Sequence, residues 1–188
     1  MAKLDDHLKA AIIQMPPKEK DKLLLRLVAK DKKLVQRLIF ELLEGSATRD
    51  SRAAAIHTLI DQNLPDSTHR DNSPGMLLMD LRALNGQITA HVNTTKDKPG
   101  EVILGAFLLA EAIRRNEAML IKMARRADKI APYMAKRASD LLKKAAKIHE
   151  DYYMEFRDNL NEILQFLHQY PPAKLYVAAL NLPRRWDG

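Results

Sequence analysis

Apolar residues recur every three or four positions along nearly the whole chain. That periodicity constrains the fold more than any other feature. At 3.6 residues per turn it gathers the apolar side chains onto one helix face. The breakers fit the same reading. The six glycines are isolated, and proline pairs such as Pro16-Pro17 and Pro171-Pro172 stand where new periodic segments begin. Proline suits a first helical turn, where its missing N–H would have no partner anyway. Leu, Ala, Lys, Arg and Glu, all good helix formers, fill the segments between. The expected fold is all-α with about seven or eight helices: short stacked helices in the N-terminal third, then a long helical hairpin or bundle.

Residues 3–14 read as one short helix. The stretch "KDKLLLRLVAKDKKLVQRLI", 20–39, matches itself at an offset of eleven, about three helical turns. One unbroken helix would place Asp31 inside its own apolar stripe. Because Asp is a strong N-cap, the sequence predicts two helices, about 17–29 and 32–44, with Asp31 capping the second. A single helix is the alternative. Gly45 is a natural stop. Residues 48–62 form another helix, with Ala53, Ala54, Ile56, Leu59 and Ile60 inward.

The Pro-, Ser- and Asp-rich segment 63–75 reads as a linker. It would separate stacked helices at 1–62 from a bundle at 76–182, with 183–188 a loose tail; one domain over 1–182 is the alternative. Residues 76–95 have helical spacing, although Asn85-Gly86 is also a hairpin signal. Long helices are expected at about 101–130 and 133–169, and a short one after Pro171-Pro172. The short helices of 3–62 resemble HEAT- or armadillo-type stacking. The stretch 18–44 is similar to segments of an uncharacterised bacterial helical family, and that resemblance implies no activity.

Several chemistries are excluded. Without cysteine there is no disulfide, thiolate nucleophile or Cys-ligated metal. Isolated glycines cannot form a phosphate loop, and no G-x-x-x-x-G-K occurs. No histidine has Glu three residues before it, and H-E-x-x-H is absent. His149, between Ala145 and Tyr152, is expected to be half-buried and hydrogen-bonded, as are His57 and His91. Asp66 and His69 share the linker and would meet a metal only by accident. Ser46, Ser51 and Ser73 lack a nucleophile-elbow context. No catalytic residue, metal ligand or cofactor is therefore assigned. No apolar run reaches the roughly 20 residues of a membrane span, and the start reads as a poor signal peptide. The chain is expected to be cytoplasmic.

Charge gives the one direction. The net charge is +7, and residues 114–147 alone carry eleven cations against three acids. The cations are Arg114, Arg115, Lys122, Arg125, Arg126, Lys129, Lys136, Arg137, Lys143, Lys144 and Lys147. On helices they fall on one side, opposite apolar residues, and form a candidate anion- or nucleic-acid-binding face. From 150 the sign reverses, with Glu150, Asp151, Glu155, Asp158 and Glu162 as a candidate charge-pairing segment. In one helix over 133–169 this order opposes the helix dipole. An antiparallel partner, from within the chain or from a second copy, would satisfy it. The leading expectation is a non-enzymatic helical interaction module binding a protein or itself. The alternatives are sequence-independent nucleic-acid binding and an enzyme with a dispersed site.

Overall fold

A computed structural model describes residues 4–66 and 73–188. Those residues form nine α-helices and no strand, so the protein is all-α. Its compact units are Met1–Ser46 and Ala47–Gly188. The division thus falls before the 48–62 helix and not at the 63–75 linker, of which residues 67–72 lie outside the described part.

In the first unit α1 spans Asp6–Gln14, α2 Pro17–Lys30 and α3 Lys32–Ile39. Pro17 opens α2 at its first position. Asp31 is extended and its Oδ1 accepts from the N–H groups of Lys33 and Leu34, at 2.9 and 3.1 Å. The repeated run is therefore two helices with Asp31 as the cap. After α3 the chain widens into a π-turn, Phe40–Glu44, closed by Gly45 at φ +65°. That left-handed conformation favours glycine. None of α1, α2 or α3 has a buried residue, and Phe40 is the buried apolar side chain of this unit.

The second unit begins with α4, Arg49–Asn63, followed by α5, Pro74–Thr95. Ile60 is fully buried, and Ala53, Ile56 and Leu59 pack beside it. Ala54 faces outward. This apolar side of α4 rests on α5 and on α6, Lys98–Lys122, which is why α4 belongs to the larger unit. α5 is a continuous helix through Asn85-Gly86. Ser73 caps it, its Oγ accepting from the Met76 N–H at 3.3 Å. α5 reverses into α6 through Lys96, in the left-handed region, and Asp97, whose Oδ1 accepts from the Gly100 N–H at 3.0 Å.

α6 is the centre. It is apolar on several sides and packs on α5, α7 (Ile130–Ala145) and α8 (Tyr153–Gln169). A helix apolar around its circumference has to be enclosed in this way. At Gly105 a Cβ would stand 2.7 Å from Leu141 Cδ2, so its absence lets α6 and α7 approach closely. α9, Lys174–Ala179, covers α7 and α8.

The structure corrects three expectations. The 101–130 helix ends at Lys122, and a 3₁₀ turn, Ala124–Arg126, precedes α7. The 133–169 helix is two helices, α7 and α8, joined by the 3₁₀ turn Glu150–Tyr152. Unbroken, those residues would make a rod about 55 Å long with much of its apolar side unburied. Folding back lets Phe156, Leu160, Ile163 and Leu167 enter the core. It also resolves the charge order, because Lys143 and Lys144 now close α7 while Glu150, Asp151 and Glu155 open the turn and α8. Both placements suit the dipole. The third correction is the tail. The Trp186 ring is buried 4.7 Å from Tyr153 and 5.2 Å from Phe156, and its backbone is held by the Asn161 side chain at 2.8 and 3.2 Å.

Candidate functional site

Folding sorts the eleven cations of 114–147 into two groups. Arg114 pairs with Glu111 on its own helix and with Glu162 on α8. Arg115 pairs with Glu111 and with Asp61 on α4, and donates to the Leu64 carbonyl. Arg137 donates to Asn85 Oδ1 on α5, Lys144 pairs with Glu101 on α6, and Lys136 lies 3.2 Å from Asp140. These five tie helices together or pair locally. Lys122, Arg125, Arg126 and Lys129 cluster at the exposed turn between α6 and α7. Lys143 and Lys147 are exposed at the other end of α7, about 20 Å away by helical rise. That gap exceeds the screening length at physiological salt, about 8 Å. The structure therefore shows two cationic ends with a paired middle and no continuous stripe.

Within the acidic segment, Glu162 makes the inter-helix pair. Asp151 lies 3.1 Å from His149 and Asp158 4.0 Å from Arg157, while Glu155 lines a cleft.

That cleft lies in the larger unit. It is open, about 560 Å³, and is lined by Arg49, His57, Asp97, Ile103, Tyr152 and Glu155 among others. Asp97 is its most constrained group. One carboxylate oxygen caps α6, and the other stands 3.5 Å from His91 Nε2. Both side chains are buried, and Nε2 has no hydrogen-bond partner. At 3.5 Å the contact is better described as electrostatic than as a formed hydrogen bond. The His91 ring does most to hold the Asp97 carboxyl below its ordinary range. Burial opposes this, and the Gly100 N–H and the Arg49 charge add to it. Asp97 is thus occupied with holding the α5–α6 reversal. The lining contains no serine, threonine or lysine to act as a nucleophile.

The other histidines depart from expectation. His149 is 68% exposed and caps the turn before α8, its Nδ1 accepting weakly from the Asp151 N–H at 3.4 Å. His57 is exposed and lies flat on Phe107, ring centres 3.8 Å apart. The pairing of Asp66 with His69 lies outside the described residues. Ser51 donates to the Thr48 carbonyl at 2.8 Å, a local turn contact.

What sequence reading missed is in the first unit. Nine of the fifteen exposed large apolar side chains among the described residues fall between Leu4 and Leu43. Leu24, Leu25 and Leu27 on α2 are 60%, 69% and 53% exposed, and Leu43 is 80% exposed. Singly scattered exposed leucines are ordinary on a soluble surface; here most of them fall within one segment of about forty residues. In α2, Leu23, Leu24, Leu27 and Val28 span an arc of about 140°, with Lys22 and Arg26 on the far side and Lys30 at its edge. α3 repeats this with Leu34, Val35, Leu38 and Ile39 against Lys33 and Arg37. The sequence signal available was two strongly amphipathic helices in a short segment, where little surface can be buried. No family model, curated protein or solved structure matches the chain. Among the described residues no helix is long and apolar enough to cross a bilayer.

Proposed function

We propose that this protein is a non-enzymatic α-helical interaction module: residues 47–188 are its self-sufficient body, and the amphipathic unit 1–46 is its docking element. One observation carries the reading. The body buries its own apolar faces around α6, whereas on α2 and α3 Leu24, Leu27 and Leu34 stay exposed and Leu23, Val28, Val35, Leu38 and Ile39 are only half-buried. Exposed leucine lowers solubility and adds nothing to stability while it stays wet, so its density calls for an occupant. The cleft supports this indirectly, since its buried carboxylate is committed to a helix cap.

The test is whether the face is open in the native protein. Nile red, a neutral apolar dye, should brighten with the folded chain. The double variant Leu24→Ser, Leu27→Ser should lose most of that signal and keep the same urea midpoint. A dark native protein, together with a lower midpoint in the variant, would mean that the protein closes this face itself, and the reading would fall.

A further inference from the structure

We infer that the occupant of the α2–α3 face is an anionic lipid surface, on which the two helices lie flat. The inference rests on the docking reading above and assigns its partner chemistry. Three observations lead to it.

The first is charge. Residues 17–39 carry eight cations and three acids, a local +5. A second copy of the same face would bring like charge against like charge and be repelled. An anionic occupant is attracted.

The second is the shape of the apolar surface. A coiled-coil partner reads a narrow seam with a repeat of seven. Here the apolar arc on each helix spans about 140°, and Leu25 lies beyond it in α2. Such a broad arc suits the plane between headgroups and acyl chains. Lys30 lies about 20°, and Arg26 and Arg37 about 60°, beyond the edge of the arc, where their stems can run along the apolar side and their charges rise to the phosphates. The helices have 14 and 8 residues, far too few to span a bilayer, so they lie on it.

The third is the absence of protein-type anchors. Residues 1–46 contain no tryptophan or tyrosine, and their one phenylalanine, Phe40, is buried. Protein interfaces concentrate their binding energy in Trp, Tyr and Arg placed in pockets, with leucine under-represented. A face of leucine, isoleucine and valine flanked by lysine supplies apolar area and charge. Those are what a lipid boundary uses.

The experiment is vesicle co-sedimentation of the full chain at physiological salt. Phosphatidylcholine vesicles are compared with the same vesicles containing phosphatidylglycerol. Partition should be at least about tenfold stronger on the anionic vesicles. The Leu24→Ser, Leu27→Ser protein should lose binding to both. Lys30→Glu, Lys33→Glu should lose the anionic preference. Arg125→Glu, Arg126→Glu, at the cationic α6–α7 turn of the body, should bind as wild type does. Absence of binding by wild type overturns the lipid inference, and so does binding that survives the leucine changes. Sedimentation velocity without lipid then separates the causes. A wild-type dimer dissociated by the leucine changes would make a second copy the occupant and leave the docking reading standing. A monomer that takes up Nile red but ignores vesicles would point to an acidic protein partner, with the same consequence. A dark wild type, together with a destabilised leucine variant, would remove both readings together.

Discussion

The first 46 residues and the rest of the chain use the same leucine-rich helices to opposite ends. In the body, α6 is enclosed by α5, α7 and α8. Small residues at the contacts, such as Gly105, Ala106, Ala135 and Ala138, let backbones approach. Aromatic rings fill the wider gaps: Phe156 and Trp186 at one place, Phe166 stacked on Tyr170 at another. The N-terminal unit has neither device. Its three helices form no buried cluster, and its interior polar contacts are local, such as Lys20 Nζ donating to the Ile13 carbonyl at 2.7 Å. A segment this short buries only a small fraction of its surface, and among its described residues Phe40 alone is buried. Amphipathic pattern alone therefore does not make a core. The helix must be met from more than one side.

Core truncation gives the largest contrast. Phe156→Ala should cost about 3–5 kcal/mol, because the ring is buried against Trp186 and Tyr153. Leu24→Ala should change stability by no more than about 0.5 kcal/mol, because that side chain is already in water. Urea unfolding of the two variants tests the comparison. Equal losses would show that the α2 face is a true interior.

Alkali should separate the regions by about 2–3 kcal/mol. Tyr170 is buried, its hydroxyl donating to the Leu120 carbonyl at 3.2 Å, and burial pushes its pKa up to about 12. An unfolded tyrosine ionises near 10. The folded pKa is the higher one, so this contribution is complete below about pH 10 and is lost as pH rises toward 12. Tyr170→Phe should flatten that part of the stability–pH curve, measured as the urea midpoint between those limits. Residues 1–46 hold no tyrosine, so the effect belongs to the body alone. An equal alkaline fall in both proteins would assign it to other groups.

The helical class, the cap at Asp31, the start at Pro17 and the stop at Gly45 were all legible, because each depends on a few neighbouring residues. The breaks after Lys122 and Ala145 contain neither glycine nor proline, and the apolar period runs on toward them. Burial against α6 decided them, and burial is not a local property. One sequence signal did mark the second break. Lysines at 143–147 followed by acids at 150–155 are unfavourable in one helix and favourable as an end followed by a start. The basic face was legible as composition only. Whether Arg114 meets Glu162, or Arg115 meets Asp61, depends on which helices become neighbours. The docked tail had a signal too, since Trp186 is a large apolar group next to a chain end.

The smallest expected effect addresses how local the N-terminal unit's stability is. Asp31 satisfies two backbone donors at the start of α3, and replacing a capping carboxylate by alanine typically costs about 1 kcal/mol. In a packed domain that loss would appear in the global melt. Here α3 has no buried residue to couple it to a core, so the loss should remain within the unit. Asp31→Ala is expected to speed amide exchange through the first turn of α3 by about fivefold, which corresponds to about 1 kcal/mol, with the body's urea midpoint unchanged. A shift of that midpoint by the full amount would mean that α3 unfolds together with α6. The leucines of α2 and α3 would then have to be counted as part of one cooperative structure, and their exposure would no longer argue for an external partner. Faster exchange confined to α3 would instead fix the N-terminal unit as a separately opening element, the state from which an amphipathic pair settles onto a surface.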